Sequence, residues 1–130
     1  MMFGQSLVLL NFGRVCHLAG RQDDALTHAH DAIDVAQASG ERANEAWAWS
    51  LLGDLILDDS ATALRIEEAH NYYRTALVIA QELGMRPLQA QCLYGLSRLQ
   101  RMVGNETLAE QHATDATSLC REMGIKPWLG

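Results

Sequence analysis

The sequence predicts an all-α protein, a solenoid of three helical hairpins, and three observations carry that prediction. Leu (19) and Ala (18) supply 37 of the 130 residues, whereas Val, Ile and Thr together supply 16. Strong helix formers therefore dominate and strand formers are scarce. Alanines recur in pairs seven residues apart, Ala25 with Ala32, Ala69 with Ala76, and Ala109 with Ala116. Each pair is followed eight residues later by a glycine, Gly40, Gly84 or Gly124, and two residues after that by a basic residue, Arg42, Arg86 or Lys126. The equivalent alanines are spaced by 44 and 40 residues, and self-similarity at such a period is the mark of a repeat array.

Each unit reads as two helices. Alanines two turns apart share one helical face and let a neighbouring helix approach closely. The terminal glycines suit the left-handed position just past a helix end. Pro87 and Pro127 suit the first turn of the next helix, where a missing N–H costs nothing. Gly20 and Gly104 divide their units, with Gln22-Asp23-Asp24 and Asn105-Glu106 offering capping side chains. The expected helices run over about 5–19, 23–39, 42–58, 63–83, 87–103 and 106–123, giving units of about 5–40, 41–84 and 85–124 in a single domain. Residues 125–130 then begin a further helix that the sequence does not complete. Unit two is longer by a polar stretch, Asp58-Asp59-Ser60-Ala61-Thr62, expected to be an extended turn capped by Asp59 or Ser60.

Composition excludes several classes. No apolar run, neither Ala76 to Ala80 nor the N-terminal Leu7 to Leu10, approaches the ~20 residues a membrane-spanning helix needs. No basic residue precedes the N-terminal run, so a secretory leader is not expected. A net charge of −6 opposes nonspecific binding to nucleic acid or anionic membranes. Cys16, Cys92 and Cys120 are odd in number and widely separated, which argues against a disulfide framework and for a cytoplasmic address.

No constellation of residues points to catalysis, a metal or another cofactor. His28 and His30 are two apart, so on a helix they point about 200° from each other and cannot share one ion. His30 and Asp34 have the right spacing but supply too few ligands for a zinc site. The acid pairs Asp23-Asp24, Asp58-Asp59 and Glu67-Glu68 precede or open the second helices, where carboxylates favour the positive end of the dipole. General acid–base work needs two carboxylates across one cleft in different environments. The cysteines lie on apolar helical faces, and Cys120 falls where the other units carry Ala36 and Ala80, so all three read as buried small hydrophobes.

Trp49-x-x-Leu52-Gly53, followed by Ala69, Tyr73 and Ala76, resembles the tetratricopeptide repeat. Gly13, Gly20, Ala25 and Ala32 fit the same template in unit one, and Leu96, Gly104, Ala109 and Ala116 fit it in unit three. The long period is closer to the 40-residue variant of the repeat. The stretch Ala69-His70-Asn71-Tyr72-Tyr73-Arg74, continuing through Glu82-Leu83-Gly84-Met85-Arg86-Pro87-Leu88 to Cys92-Leu93-Tyr94-Gly95-Leu96, is similar to the C-terminal helical-repeat region of large bacterial signalling proteins. Those proteins pair an ATPase module with a nucleotide cyclase or regulator domain; no P-loop glycine cluster occurs in the present sequence.

The resemblance implies right-handed superhelical stacking and a noncatalytic role, with a protein or peptide partner held in a concave groove lined by the first helices. The matching positions are Leu7, Leu10, Arg14 and His17 in unit one, Trp47, Ser50, Asp54 and Asp58 in unit two, and Gln91, Tyr94, Arg98 and Arg101 in unit three. Trp49 is expected to be core. Aromatic and arginine side chains on rigid helices are the usual anchors of such interfaces. The alternative is self-association. The last helix carries Leu108, Ala113, Leu119 and Met123 besides its packing alanines. Leu7, Leu9 and Leu10 at the other end, with Trp128 and Leu129 after the last hairpin, add further apolar surface.

Overall fold

The structure, a computed structural model, describes residues 14, 15, 18–58 and 63–124. Within them the chain forms five helices and no strand: α1 (Gln22–Ser39), α2 (Arg42–Asp58), α3 (Ala63–Leu83), α4 (Arg86–Met102) and α5 (Glu106–Glu122). Arg14, Val15 and Leu18 are helical as well. The remainder of the expected first helix, the cap at Asp59 or Ser60, and the turn after Gly124 with Trp128 and Leu129 lie outside the described residues.

The glycines end the helices as their spacing predicts. Gly40, Gly84 and Gly124 have φ of 70°, 67° and 72°. After Gly40 the Glu41 N–H returns to the Ala36 carbonyl at 2.8 Å, and after Gly84 the Met85 N–H returns to the Ala80 carbonyl at 2.8 Å. These bonds satisfy carbonyls that a helix end otherwise leaves orphaned. Pro87 occupies the first turn of α4, with the helix beginning one residue before it. At the start of α5 the Asn105 side chain accepts a hydrogen bond from the Leu108 N–H. One expectation fails here. Helix α1 begins at Gln22, Arg21 takes the N-cap position, and no side chain caps the turn. Asp23 and Asp24 therefore lie inside the first turn, and Asp24 pairs with Arg21.

Consecutive helices pack along the whole described chain, and α2 also touches α4, whereas the backbones of α1 and α3, and of α3 and α5, stay further apart. One layer, α2 and α4, is drawn together while the other spreads, so the α2–α4 side is the inner face of the solenoid. The packing alanines make the close approaches possible: Ala25, Ala32, Ala69, Ala76, Ala109 and Ala116 are all fully buried. One hydrophobic cluster joins α1 to α2 through Ala29, Ile33, Leu52 and Leu55. A second joins α2, α3 and α4 through Ile56, Tyr73, Leu77, Leu88 and Leu96. Trp49 is half-buried and packs against both clusters, its ring stacked on Tyr72 at 5.5 Å between centroids. Cys92 and Cys120 are buried, Cys120 in the small-residue position its repeat register assigns.

Candidate functional site

Side chains three and four residues apart share a helical face, and on the inner face of α2 and α4 this register presents Trp47, Ser50 and Asp54 beside Gln91, Tyr94 and Arg98. Two adjoining cavities open there. One, of about 400 Å³, is walled by Asp54, Gln91, Tyr94 and Arg98, with Pro87, Cys120 and Met123 completing it. The other, of about 200 Å³, is walled by Arg14, Leu18, Trp47, Ser50 and Leu51. Asp54 and Gln91 line both, so the cavities form one groove.

The polar groups of this groove are held from behind. Tyr73, on α3, is fully buried, yet its hydroxyl donates a hydrogen bond to Asp54 Oδ1. It reaches Asp54 by passing its ring between two helical glycines, Gly53 of α2 and Gly95 of α4. A Cβ on Gly53 would lie 2.8 Å from the ring, and one on Gly95 only 2.4 Å. Burial, reinforced by the Asp54 charge, raises the phenol pKa far above its usual value, so Tyr73 remains a neutral donor. Arg98 Nη2 pairs with Asp58 Oδ1 at 2.6 Å. Burial works against the Arg98 charge, but the hydrogen bond and charge of Asp58 outweigh it and the guanidinium pKa is raised. At the other end of the groove the Arg14 guanidinium lies 4.9 Å from the centre of the Trp47 ring, a cation–π contact.

Seven of the positions expected in a groove therefore meet: Arg14, Trp47, Ser50, Asp54, Gln91, Tyr94 and Arg98. Asp58 joins them by bracing Arg98. Ser50 is only 1% exposed, so it is floor and not a presented side chain. Arg101 is turned elsewhere, into a separate cavity of about 370 Å³ against Thr114, Thr117 and Arg121 of α5. Leu7, Leu10 and His17 lie outside the described residues. The sequence reading missed Tyr73 as a groove-supporting group, and it missed Pro87 and Met123 as wall. The pairing of two glycines with one tyrosine was the available signal, but it becomes legible only once α2 and α4 are known to touch.

Burial pushes the Cys92 thiol up to about 12, which removes it as a nucleophile at neutral pH. Among the described residues no three His, Cys, Asp or Glu side chains gather as a metal site would require, and no helix is long and apolar enough to cross a membrane. Comparison of the chain with protein-family models finds no matching family, and comparison with curated proteins finds no match.

Proposed function

We propose that this chain is a noncatalytic protein-interaction module of the tetratricopeptide type that holds a partner segment in the groove between α2 and α4. The observation that carries the reading is the continuity of that groove. Asp54 and Gln91 belong to both cavities, and Trp47, Tyr94 and Arg98 stand along it on rigid helices. Aromatic and arginine anchors of this kind dominate peptide and protein interfaces. The similarity of the Ala69–Leu96 stretch to bacterial signalling proteins supports a cytoplasmic role in signalling or regulation. The net charge of −6 disfavours nucleic acid as the partner.

The test is selection of a random twelve-residue peptide display library on the purified protein. Peptides that bind wild type are expected to lose about 2 kcal/mol of affinity on Trp47→Ala and on Tyr94→Ala, with the thermal midpoint of each variant recorded as a folding control. A folded protein that enriches no peptide, or peptides indifferent to both substitutions, would overturn the reading.

A second reading, self-association, is favoured by one observation. Large apolar side chains are exposed near two hairpin turns: Val15 and Leu18 at 61% and 86%, and Met102, Val103 and Leu108 at 38–54%. Light scattering over a hundredfold concentration range separates the two, since a constant monomer mass removes the second.

A further inference from the structure

The cavity of about 370 Å³ stands apart from the groove, between the end of α4 and one face of α5. Arg101 enters it from the last turn of α4. Ala113, Thr114, Thr117, Ser118 and Arg121 form its α5 wall, at the three- and four-residue spacing of a single helical face. Two guanidiniums and three hydroxyls share the lining. Among the described residues no carboxylate does, although the chain as a whole carries −6. Nearby acids offset the positive charge only in part. Glu106 lies 3.9 Å from Arg101 Nε, beyond hydrogen-bond distance, and Glu122 is turned to Arg86 at 3.8 Å. Arg121 has no ion pair among the described residues.

The hydroxyls are uncommitted as well. On α1 and α3, Thr27 and Thr75 donate to the carbonyls of Asp23 and Asn71 at 3.0 and 2.9 Å. The side chains of Thr114, Thr117 and Ser118 have no such partner among the described residues. The repeat register shows what this surface does not suit. Arg101 stands where α2 carries Leu57, and Thr117 where α3 carries Leu77, two buried members of the cluster that receives α4. A helix packed here as α4 packs on unit two would bury a guanidinium where that interface buries leucine.

We propose that this cavity is a binding site for a phosphate group, drawn by the charges of Arg101 and Arg121 and bonded by the hydroxyls between them in the wall. Guanidiniums present forked donors that match phosphate oxygens, and they stay charged at any working pH. Hydroxyl donors along the same wall suit a group with three strong acceptor oxygens better than a flat carboxylate with two. A free phosphate ion and a phosphate carried on a serine side chain share this chemistry. The site uses none of the residues that wall the groove, so it neither needs nor supports the reading of that groove.

The test is an NMR titration of the isotope-labelled protein at neutral pH and constant ionic strength, with inorganic phosphate, O-phosphoserine and acetate as probes. Inorganic phosphate or O-phosphoserine is expected to shift the Thr114, Thr117 and Ser118 amides saturably, and the tighter of the two names the source. Acetate should bind about tenfold more weakly or less. The double variant Arg101→Gln, Arg121→Gln should lose saturation. Arg21→Gln with Arg42→Gln removes the same charge from exposed positions outside the cavity and should keep it. Thermal midpoints control for folding, and the wild-type shift map stands without any variant. Shifts that do not saturate, that scatter over the surface, or that acetate reproduces at equal concentration overturn the site. So does binding that survives the double variant. None of these outcomes bears on the groove.

Discussion

Helices α2 and α5 are both 17 residues long, yet nine residues of α2 are buried and three of α5 are. Their surroundings account for the difference. Helix α2 packs against α1, α3 and α4, whereas among the described helices α5 packs against α4 alone. Their sequences follow suit. From Ala46 to Leu57 helix α2 is apolar on nearly every side, interrupted by Ser50 and Asp54, as befits a helix enclosed on several faces. Helix α5 keeps a single packing stripe, Ala109, Ala116 and Cys120, and exposes Glu110, Gln111, Thr114 and Asp115. In a solenoid each hairpin is stabilised by its neighbours, so the cost of a change depends on how many neighbours feel it. The groove is built on the enclosed pair, α2 and α4, which gives its anchors a rigid base.

The largest expected effect breaks the enclosed side. Leu52→Ala, at a fully buried position of α2 in the cluster shared with α1, should cost about 2–5 kcal/mol through lost burial and a residual cavity. Leu119→Ala, half-buried on α5, should cost about 1 kcal/mol. Urea denaturation of both variants measures the pair. Equal costs would mean that α5 is as enclosed as α2.

Next comes the glycine gap beneath the groove. In a helix, Gly→Ala ordinarily gains about 1 kcal/mol from propensity. At Gly95 the added methyl would stand 2.4 Å from the Tyr73 ring, which is fully buried and has nowhere to retreat. Overpacking should win, for a net loss of about 1–3 kcal/mol. The same substitution made together with Tyr73→Leu should lose much of that penalty, because the ring it strikes is gone. If the cost of Gly95→Ala is unchanged in the Tyr73→Leu background, the gap is not what holds the phenol.

How much of this was legible in the sequence depends on the range of the interaction involved. The hairpins were legible because alanine pairs, terminal glycines and Pro87 act within a few residues of themselves. Gly40 and Gly84 ended their helices at the residues expected. The groove positions Trp47, Asp54, Gln91, Tyr94 and Arg98 were legible through the resemblance to the tetratricopeptide repeat, which implies that the first helices of the hairpins line the inner face. Three features were not. Ser50 sinks to the floor because α2 is crowded on both sides, which its own register does not reveal. Arg101 turns toward α5 because it lies in the last turn of α4, where the second helix of its hairpin returns. The Tyr73 hydroxyl reaches the groove only because two non-adjacent helices each lack a side chain at the crossing point.

The smallest expected effect concerns the helix starts, where α5 should lean on local terms because few long-range ones hold it. Asn105 accepts a hydrogen bond from the Leu108 N–H, so Asn105→Ala leaves that donor to water and should cost about 1 kcal/mol. Asp23 looks equally suited to cap α1 by composition, but it lies one residue inside a helix that already began at Gln22. The Thr27 hydroxyl donates to the Asp23 backbone carbonyl, a bond that substitution leaves in place. Asp23→Ala gives up a favourable charge near the helix N-terminus but gains helix propensity, two small terms of opposite sign. The net should fall within about 0.5 kcal/mol of zero. Denaturation midpoints give the global costs. Amide hydrogen exchange at Leu108 gives the local one, and it should quicken in Asn105→Ala while the amides of α2 keep their protection. A cost at Asp23 equal to that at Asn105 would show that the carboxylate caps α1 in solution, and that α1 and α5 start alike.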